Sequence, residues 1–331
     1  MQGAFGPQLW FISYPEGKAR RITNDLSGYG SQSLGLTVDN STIVTALTDG
    51  STQIWTTAVN QPSSLASQIS HGKNDGNAGL DWMPDGRILY VAEAGDSPEI
   101  WIMNADGTGS RQLTADTYLK SNPSVSADGK YVFFTSFQSA TPHIWRIDAD
   151  GSNLKQITSG DSANVAPTCS PDGQWITFLS SRSGSPCLWK VSFDGGEAVQ
   201  LTDKPATRAF FSSDGTRLAY GHFAEGAKPP WKGAIMSLAG GRPVKFLDLP
   251  ESARLQYGLR WTPDARALLY VDHRNGAANV WSQPADGGEA VPITSFDSEF
   301  ISNFAPSPDG KRLALSRGHS IADVVLIKDF R

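Results

Sequence analysis

The stretch "SPDGQWITFLSSRSGSPCLWKVSFDGGEAVQLT", residues 170–202, decides the fold because the chain repeats it. The copy "SADGKYVFFTSFQSATPHIWRIDADGSNLKQIT" occupies 126–158, and "MPDGRILYVAEAGDSPEIWIMNADGTGSRQLT" occupies 83–114. Each copy opens on an Asp-Gly turn, carries a tryptophan near its middle, and ends on an apolar residue followed by Thr. A period of about 45 residues with four strand-like segments predicts the blades of a β-propeller.

Three registers extend this repeat over the whole chain. The turn aspartate recurs at steps of 46, 43, 44, 42, 50 and 45 residues, at Asp39, Asp85, Asp128, Asp172, Asp214, Asp264 and Asp309. Tryptophans follow a similar step at Trp10, Trp55, Trp101, Trp145, Trp189 and Trp281, with Ala234 at the one position that lacks it. In five copies the closing apolar residue comes 12 residues after the tryptophan. We therefore predict one all-β domain over 1–331, a seven-bladed propeller of four-stranded antiparallel blades.

The predicted blade units assign two chain segments to the last blade. We expect the units at 28–70, 78–114, 121–158, 164–202, 206–247 and 256–294, with the last blade made of 300–331 plus 8–23. Because 8–23 reads as the second half of a unit and 304–318 as the first half, we expect N- and C-terminal strands to pair and close the ring. The stretch "DVVLIKDF" (323–330) reads as a further strand, so which terminal strand closes the ring stays open, with an open arc of eight units as the alternative.

Within a unit we name the strands A to D. Turns of the type Pro171-Asp172-Gly173 join A to B, and turns of the type Asp194-Gly195-Gly196 join C to D. Tight hairpins need residues that tolerate positive φ, which Gly and Asp do. We therefore interpret the repeated aspartates as turn formers rather than catalytic carboxylates, and the strand C tryptophans as packing between blades.

The repeats resemble the PD40, or TolB-like, propeller repeat, whose mark is the "SPDG" turn followed by an apolar strand. The segments "IWIMNADGT", "IWRIDADGSN" and "NVWSQPADGGEA" are further similar to the C-terminal propeller region of acidobacterial-type bacterial serine/threonine kinases. The resemblance implies a sensor or partner-binding module that lies outside the membrane, in the periplasm or at the cell surface, and a kinase domain upstream. This sequence has no Gly-rich loop, VAIK-like lysine, HRD or DFG of its own.

The amino-acid composition of the chain narrows the classes of partner that it can bind. The net charge of −5 comes without a basic run, which argues against nucleic acid, and no apolar run approaches the length of a membrane span. The first residues lack the pattern of a signal peptide, so we expect either a cytoplasmic protein or a leader outside this sequence. Cys169 and Cys187 fall in strands A and C of one unit, about 9–10 Å apart across strand B, so we predict two free thiols.

Strand A of each unit is expected to line the central channel. Positions four and six residues before the turn aspartate alternate with apolar residues and include polar and charged side chains. The ligand-binding candidates at the channel mouth are Asp81, Asn122, Arg208, Arg260 and Asn303. Asp81 and Arg260 could bind a zwitterionic or carboxylate ligand; the alternative is that they form local ion pairs in a water-filled channel.

The B–C and D–A loops lie at one end of the predicted propeller and vary in length, which favours them as the binding face for a protein, a peptide or a small ligand. All five histidines map to this end. A three-histidine metal site would indicate a metal-assisted polysaccharide lyase, with a lactonase-type hydrolase as a related alternative. B–C loops should hold the histidines apart, however, so we expect no metal, no cofactor and no catalytic residue.

The fifth unit departs from the repeat. Its B–C loop, "HFAEGAKPPWKG", is three residues longer, and Ala234 replaces the blade tryptophan. We expect Trp231 to fold back into the vacated space; the alternative is an exposed anchor for a partner. The loop interface candidates are His222, Trp231 and His273.

One short segment resembles a catalytic motif but lies in the wrong structural context. "GHSIA" (318–322) imitates a nucleophile elbow, which requires a strand that turns into a helix, whereas Ser320 falls between strands B and C. The function predicted from the sequence is therefore a non-enzymatic recognition or scaffold propeller of a larger bacterial signalling or envelope protein. A Tol-like scaffold that binds a lipoprotein or peptide across the channel mouth is a variant of the same prediction.

Overall fold

The computed structural model describes residues 9–23, 28, 29, 34–94, 97–328 and 330, and these are almost entirely strand and turn. Positions 8, 30–33, 95, 96, 329 and 331 of the predicted blade units lie outside the described residues. Two short 3₁₀ helices occur, Ser63–Leu65 and Leu255–Tyr257. The strands are, in chain order, β1 (Trp10–Ile12), β2 (Ala19–Arg21), β3 (Gly28–Tyr29), β4 (Gly35–Leu36), β5 (Thr42–Ala58), β6 (Ser67–Gln68), β7 (Leu80–Trp82), β8 (Ile88–Ala94), β9 (Ser97–Met103), β10 (Arg111–Gln112), β11 (Lys120–Val125), β12 (Tyr131–Ser136), β13 (His143–Asp148), β14 (Lys155–Gln156), β15 (Asn164–Cys169), β16 (Trp175–Ser180), β17 (Cys187–Ser192), β18 (Val199–Gln200), β19 (Phe210–Phe211), β20 (Arg217–Phe223), β21 (Trp231–Ser237), β22 (Lys245–Leu247), β23 (Arg260–Trp261), β24 (Ala267–Arg274), β25 (Ala277–Pro284), β26 (Val291–Pro292), β27 (Phe300–Pro306) and β28 (Arg312–Lys328).

The chain forms two compact units, one from the described residues of 52–317 and one from those of 1–51 and 318–331. In the larger unit, five antiparallel sheets each contain four consecutive strands, β7–β10, β11–β14, β15–β18, β19–β22 and β23–β26, which we name blades 1 to 5. A sixth sheet has six strands, in which β27, β28 and β5 are neighbours in that order and β3, β4 and β6 each pair with β5; we name its part within 52–317 blade 6, with β6 next to β5. The predicted all-β class and the four-stranded antiparallel blades are confirmed.

Blade 6 joins two distant parts of the chain, as the sequence predicted for the closing blade. Its A and B strands come from 300–317, and its C and D strands come from 52–68, not from 8–23. The Val59 N–H donates to Lys311 O at 2.9 Å, which matches the bond from Ala285 to Arg266 O at 2.8 Å in blade 5. Six of the four-stranded blades lie in this unit, and the second half of the predicted unit 28–70 completes the last of them.

The innermost strands of the blades contact one another around a ring. The Trp82 indole of blade 1 donates to Ala305 O of blade 6 at 2.9 Å, and the Trp261 indole of blade 5 donates to Phe210 O of blade 4 at 3.1 Å. Since β7 contacts both β11 and β27, blade 1 has a blade on either side. The strands of 52–317 therefore close on themselves and leave no blade with an open face.

Each hairpin is stabilised by side chains that the repeat supplies. In blade 3, Ser170 Oγ donates to Asp172, and Asp172 accepts the Gln174 N–H at 3.0 Å, while Gly173 takes a φ of 69°. At the other hairpin, the Thr202 hydroxyl accepts the Leu188 N–H at 3.0 Å, and the corresponding Thr does the same in blades 1, 2 and 5. The repeated aspartates are thus turn formers, as predicted.

Five of the strand C tryptophans pack between blades, as predicted, whereas Trp10 on β1 is 58% exposed, so the prediction was wrong for that residue. Trp145 of blade 2, for example, lies against a core shared with blade 1 that includes Ile100 and Phe134. Blade 4 has Ala234 instead, fully buried beside Tyr220. Trp231 does not fill that space: it is 36% exposed at the start of β21, so the expectation that it folds back was wrong and the alternative of an exposed position holds.

The smaller unit contains the predicted half-blade. Strands β1 and β2 pair as a C–D hairpin, with Trp10 opposite Arg21. The Leu9 N–H donates to Thr23 Oγ1 at 3.0 Å and the Ile22 N–H to Leu9 O at 2.9 Å, which are the bonds that Ile100, Thr114 and Leu113 make in blade 1. Strands β3 and β4 pair with the first part of β5.

Candidate functional site

The predicted channel residues are engaged with one another. Arg260 on β23 forms an ion pair with Asp81 on β7, with 3.2 Å between Nη1 and Oδ1, and donates to Leu80 O at 3.2 Å. Only blade 6 separates their two blades, so one arginine side chain spans the gap. Arg260 is 6% exposed. Of the two alternatives from the sequence, the geometry matches the local ion pair.

Arg208 also closes the channel. Its guanidinium donates to Thr168 Oγ1 at 3.1 Å, to Pro167 O at 2.7 Å and to Pro123 O at 3.1 Å, so it links blades 2, 3 and 4. Burial, together with the positive charge of Arg260, lowers the pKa of Arg208 to about 9, and the charge of Asp81 opposes that shift. The polar groups of this part of the channel are used to hold the blades together.

A phenylalanine separates the two guanidinium groups from the rest of the core. Arg208 lies 5.0 Å and Arg260 4.3 Å from the centroid of the Phe210 ring, and such contacts favour a buried cation. Asn122 and Asn303, the other two candidates, are half-buried. Asn122 takes a φ of 52° and donates its N–H to Ala78 O at 2.7 Å. A ligand role for the five channel residues stays a prediction.

The histidines lie in unlike surroundings. His143 is buried between Thr141, Thr158 and Asn164, whose amide is 3.1 Å from its Nδ1, and burial lowers the pKa of His143. His273 is exposed on β24. In the described part of the chain, no three His, Cys, Asp or Glu side chains come together in a group that could hold a metal.

Two further predictions concern Cys and Ser side chains. Cys169 and Cys187 are free thiols, as predicted, and burial raises the pKa of Cys169 to about 12. Ser320 lies inside the continuous strand β28, not between two strands as predicted. A strand position still lacks the turn into a helix that a nucleophile elbow requires.

A concave site lies beside blade 4, and we name it the blade 4 cleft. It encloses about 640 Å³, within the range of sites that bind small molecules or peptide side chains. Residues 228–232, where the long B–C loop enters β21, form one wall, and residues 246–256, the end of β22 and the following D–A connection, form the other. Thr207 also lines it.

Aromatic side chains form part of this cleft. Trp231 stacks edge to face on Phe223 with the ring centroids 5.4 Å apart, and Phe246 lies 5.4 Å from the His222 ring. Phe246 is 48% exposed. Burial lowers the pKa of His222, while the charge of Asp203 opposes that shift. Of the three predicted loop candidates, Trp231 lines the cleft, His222 lies behind it against Phe246, and His273 belongs to blade 5.

Five charged side chains line the cleft without forming ion pairs. Lys228 and Lys232 are exposed on the first wall, Asp248 and Glu251 are exposed on the second, and Arg254 on the second is half-buried. None of them takes part in an ion pair within the described residues. In the channel, Arg260 forms an ion pair with Asp81 and Arg208 is buried and hydrogen-bonded to other blades, whereas the charges of the cleft are available to a ligand.

Sequence reasoning missed the second wall. No residue of 246–256 was a candidate, although the spacing carried a signal: the step from Asp214 to Asp264 is 50 residues, the longest of the six. Part of the excess lies in the D–A connection that forms the wall, which includes the 3₁₀ helix Leu255–Tyr257. Insertions in a repeat map to loops on one face, which is often the binding face.

These features define a class of protein: a closed β-propeller whose loops form a cleft on one blade. The model of the PD40 family, the TolB beta propeller domain, matches residues 70–167 and 139–242, which together cover more than half of the chain. The chain belongs to this family. No curated protein matches it by sequence.

Solved structures agree on the fold. TolB from Acinetobacter baumannii is 21% identical with a TM-score of 0.59, over 82% of this chain and 66% of that one, so the chain spans less than two thirds of that protein. Oligogalacturonate lyase from Vibrio parahaemolyticus is 12% identical with a TM-score of 0.54, over 95% and 98%. An oligogalacturonate lyase in complex with manganese is 13% identical with a TM-score of 0.50, over 92% and 78%. At these identities the similarity establishes the propeller fold alone. The described residues include no helix of the length and apolarity that a membrane crossing needs.

Proposed function

We propose that this chain is a non-enzymatic recognition propeller and that the blade 4 cleft is its binding site. The observation that carries the proposal is the set of five charged side chains around an aromatic cleft, none of them paired with another. Exposed charges beside exposed aromatic rings are the usual composition of a recognition surface. Membership of the TolB propeller family supports a binding or scaffold role.

The finer parts of the proposal follow from the sequence resemblance. We propose that the propeller acts outside the membrane, as a sensor or scaffold module of a larger bacterial protein, and that a kinase domain belongs to that protein. A protein or peptide partner that occupies the loop face would then change the state of the rest of the molecule. The metal-assisted lyase or lactonase-type hydrolase stays the alternative, and metal analysis of protein purified without chelators tests its metal-dependent form.

The binding site can be tested by photo-crosslinking in the native host. A benzoylphenylalanine replaces Phe246 in the cleft, and in a control protein it replaces Phe137, which is 43% exposed on blade 2. We expect an adduct from position 246 that position 137 does not give. The captured partner is then purified, and its affinity for wild type, Trp231→Ala and Phe137→Ala is measured by calorimetry.

The expected result is a loss of about 30-fold in affinity for Trp231→Ala, which corresponds to about 2 kcal/mol for an aromatic anchor, and no change for Phe137→Ala. Identical adducts from both positions, or equal affinity of both variants for the partner, would show that the cleft is not the binding site.

A further inference from the structure

We infer that the blade 4 cleft binds a peptide segment in which a large apolar side chain stands between carboxylates. The inference rests on the proposed function, because it names the chemistry of the partner that the cleft would recognise. Three properties of the cleft lead to it: a rigid apolar floor, an exposed aromatic wall, and an excess of cations.

The floor exists because blade 4 replaces two large side chains by glycines. Gly221 on β20 is paired with Gly233 on β21, at positions where blade 3 has Leu179 paired with Leu188. A Cβ on Gly233 would lie 2.7 Å from Leu249 Cδ1. A Cβ on Gly221 would lie 2.8 Å from Thr207 Cγ2 and 3.2 Å from the Leu255 Cβ.

The two glycines therefore let the D–A connection lie directly on the strands of blade 4. Thr207 is fixed there by two bonds to Gly221: its N–H donates to Gly221 O at 2.8 Å, and its hydroxyl accepts the Gly221 N–H at 2.7 Å. Leu247 and Leu255 are 6% and 7% exposed, so the base of the cleft is packed in the free protein. A preformed apolar base reduces the entropy cost of binding an apolar side chain.

The charges above this floor favour a negatively charged partner. Lys228, Lys232 and Arg254 outnumber Asp248 and Glu251, so the cleft is locally positive on a chain whose net charge is −5. The two lysines share one wall with Trp231, and no acidic residue lines that wall. A ligand whose apolar side chain lies on the floor would place its neighbouring carboxylates near these ammonium groups.

A peptide fits this arrangement better than a small anion. Cationic side chains lie on both walls. The backbone of Arg254 is fixed because its N–H donates to Val271 O at 2.8 Å. A small anion meets one wall, whereas an extended segment carries side chains to both walls and sets an apolar group between them.

The test uses fluorescein-labelled eight-residue peptides and fluorescence anisotropy. The first has a central Phe-Leu flanked by two Glu on each side. Three matched peptides replace all four Glu by Gln, replace them by Lys, or replace Phe-Leu by Ser-Ser. The proteins are wild type, the double variant Lys228→Glu/Lys232→Glu, Trp231→Ala, and Lys311→Glu as a control for an exposed lysine on a turn of blade 6. Circular dichroism confirms that each variant is folded.

We expect the Glu peptide to bind wild type at least tenfold tighter than each of the other three. The double variant should lose that preference and favour the Lys peptide, Trp231→Ala should bind the Glu peptide at least tenfold more weakly, and Lys311→Glu should match wild type.

Several results would overturn the inference. They are equal binding of the Gln or Ser-Ser peptide, tighter binding of the Lys peptide to wild type, no binding of any peptide, or a concentration-dependent dimer that Trp231→Ala abolishes, which would assign the cleft to a second copy of the chain. A non-acidic partner captured at position 246 that needs Trp231 would contradict this inference and leave the proposed function standing.

Discussion

Blades 3 and 4 are neighbours with the same strand order, yet they differ in the size of the side chains at one paired position of strands B and C. Blade 3 pairs Leu179 with Leu188, whereas blade 4 pairs Gly221 with Gly233 and covers the strands with residues of the following connection. Blade 3 keeps Trp189 against its core, and Arg182 stacks over that indole at 4.7 Å. In blade 4 the indole, Trp231, stands at the rim of a cleft. The same meander can thus serve as scaffold or as site, depending on two strand positions and two loops.

The largest effect is expected when blade 3 is made to resemble blade 4. Leu188 is fully buried, and blade 3 has no long connection to take its place, so Leu188→Gly should leave a cavity and weaken a strand. We expect the free energy of unfolding to fall by about 4 kcal/mol, measured by chemical denaturation. A loss below about 1 kcal/mol would mean that neighbouring residues refill the space and that the two blades differ less than described.

The two tryptophans should respond differently to removal. Trp189→Ala takes a half-buried ring from the core between blades 2 and 3 and should cost about 3 kcal/mol of stability. Trp231→Ala removes a ring that is 36% exposed and should cost less than about 1 kcal/mol of stability while weakening partner binding about 30-fold. Equal losses for the two variants in the same denaturation experiment would contradict the assignment of Trp231 to a recognition surface.

A methyl group on the glycine pair should disturb the cleft floor. In Gly233→Ala the new Cβ meets Leu249 Cδ1 at 2.7 Å and Leu247 Cδ1 at 3.1 Å, so the leucines must move. We expect a loss of about 1–2 kcal/mol and faster amide hydrogen exchange in residues 248–256. Gly35→Ala is the matched control, because the nearest atom to its Cβ is Val44 O at 3.9 Å. Unchanged exchange in 248–256 would show that the connection does not depend on the glycine.

The smallest effect concerns the A–B turn of blade 4. Hydrogen bonds from the Ser212 hydroxyl and from Thr216 lower the pKa of Asp214 to about 2, from the usual 3.8 of an aspartate. A carboxyl group with a lowered folded-state pKa contributes stability above its unfolded pKa and loses it as the pH falls. Between about pH 4 and 2, wild type should therefore lose slightly more stability than Asp214→Asn. If the denaturation midpoints of wild type and Asp214→Asn fell by the same amount over that range, the hydrogen bonds of Asp214 would not contribute to the pH dependence of stability.

The fold could be predicted because its signals are local. An Asp-Gly turn such as the one at Asp172 fixes a hairpin wherever it stands, and its period sets the blades. The choice of the hairpin that completes the last sheet is not decided by a local signal. Residues 8–23 and 52–68 have the same C–D pattern, with Trp10 and Trp55 in the same register. Tertiary packing places 52–68 in blade 6, and the sequence of neither segment alone predicts which of the two takes that position.

The candidate site was predicted in part for the same reason. Trp231 stood out because it lies in the one B–C loop that departs from the repeat, and it lines the cleft, while the candidate His222 contacts Phe246 of the cleft wall. The opposite wall depends on Gly221 and Gly233 facing each other, which becomes meaningful only once the pairing of β20 with β21 is known. Asp81 and Arg260 were both placed at the channel, but their ion pair follows from the number of blades between them.

The two halves of blade 6 are far apart in the chain and are therefore synthesised at different times. Residues 52–58 of β5 leave the ribosome about 250 residues before β28 begins at Arg312. At 5–20 residues per second, this strand waits roughly 10–50 s for its neighbour. During that interval blades 1 to 5 can form in order, each from consecutive strands, while β5 presents an unpaired edge to other chains in the cell. Because β28 is synthesised after blades 1 to 5, its pairing with β5 ends the period in which that edge is exposed to aggregation.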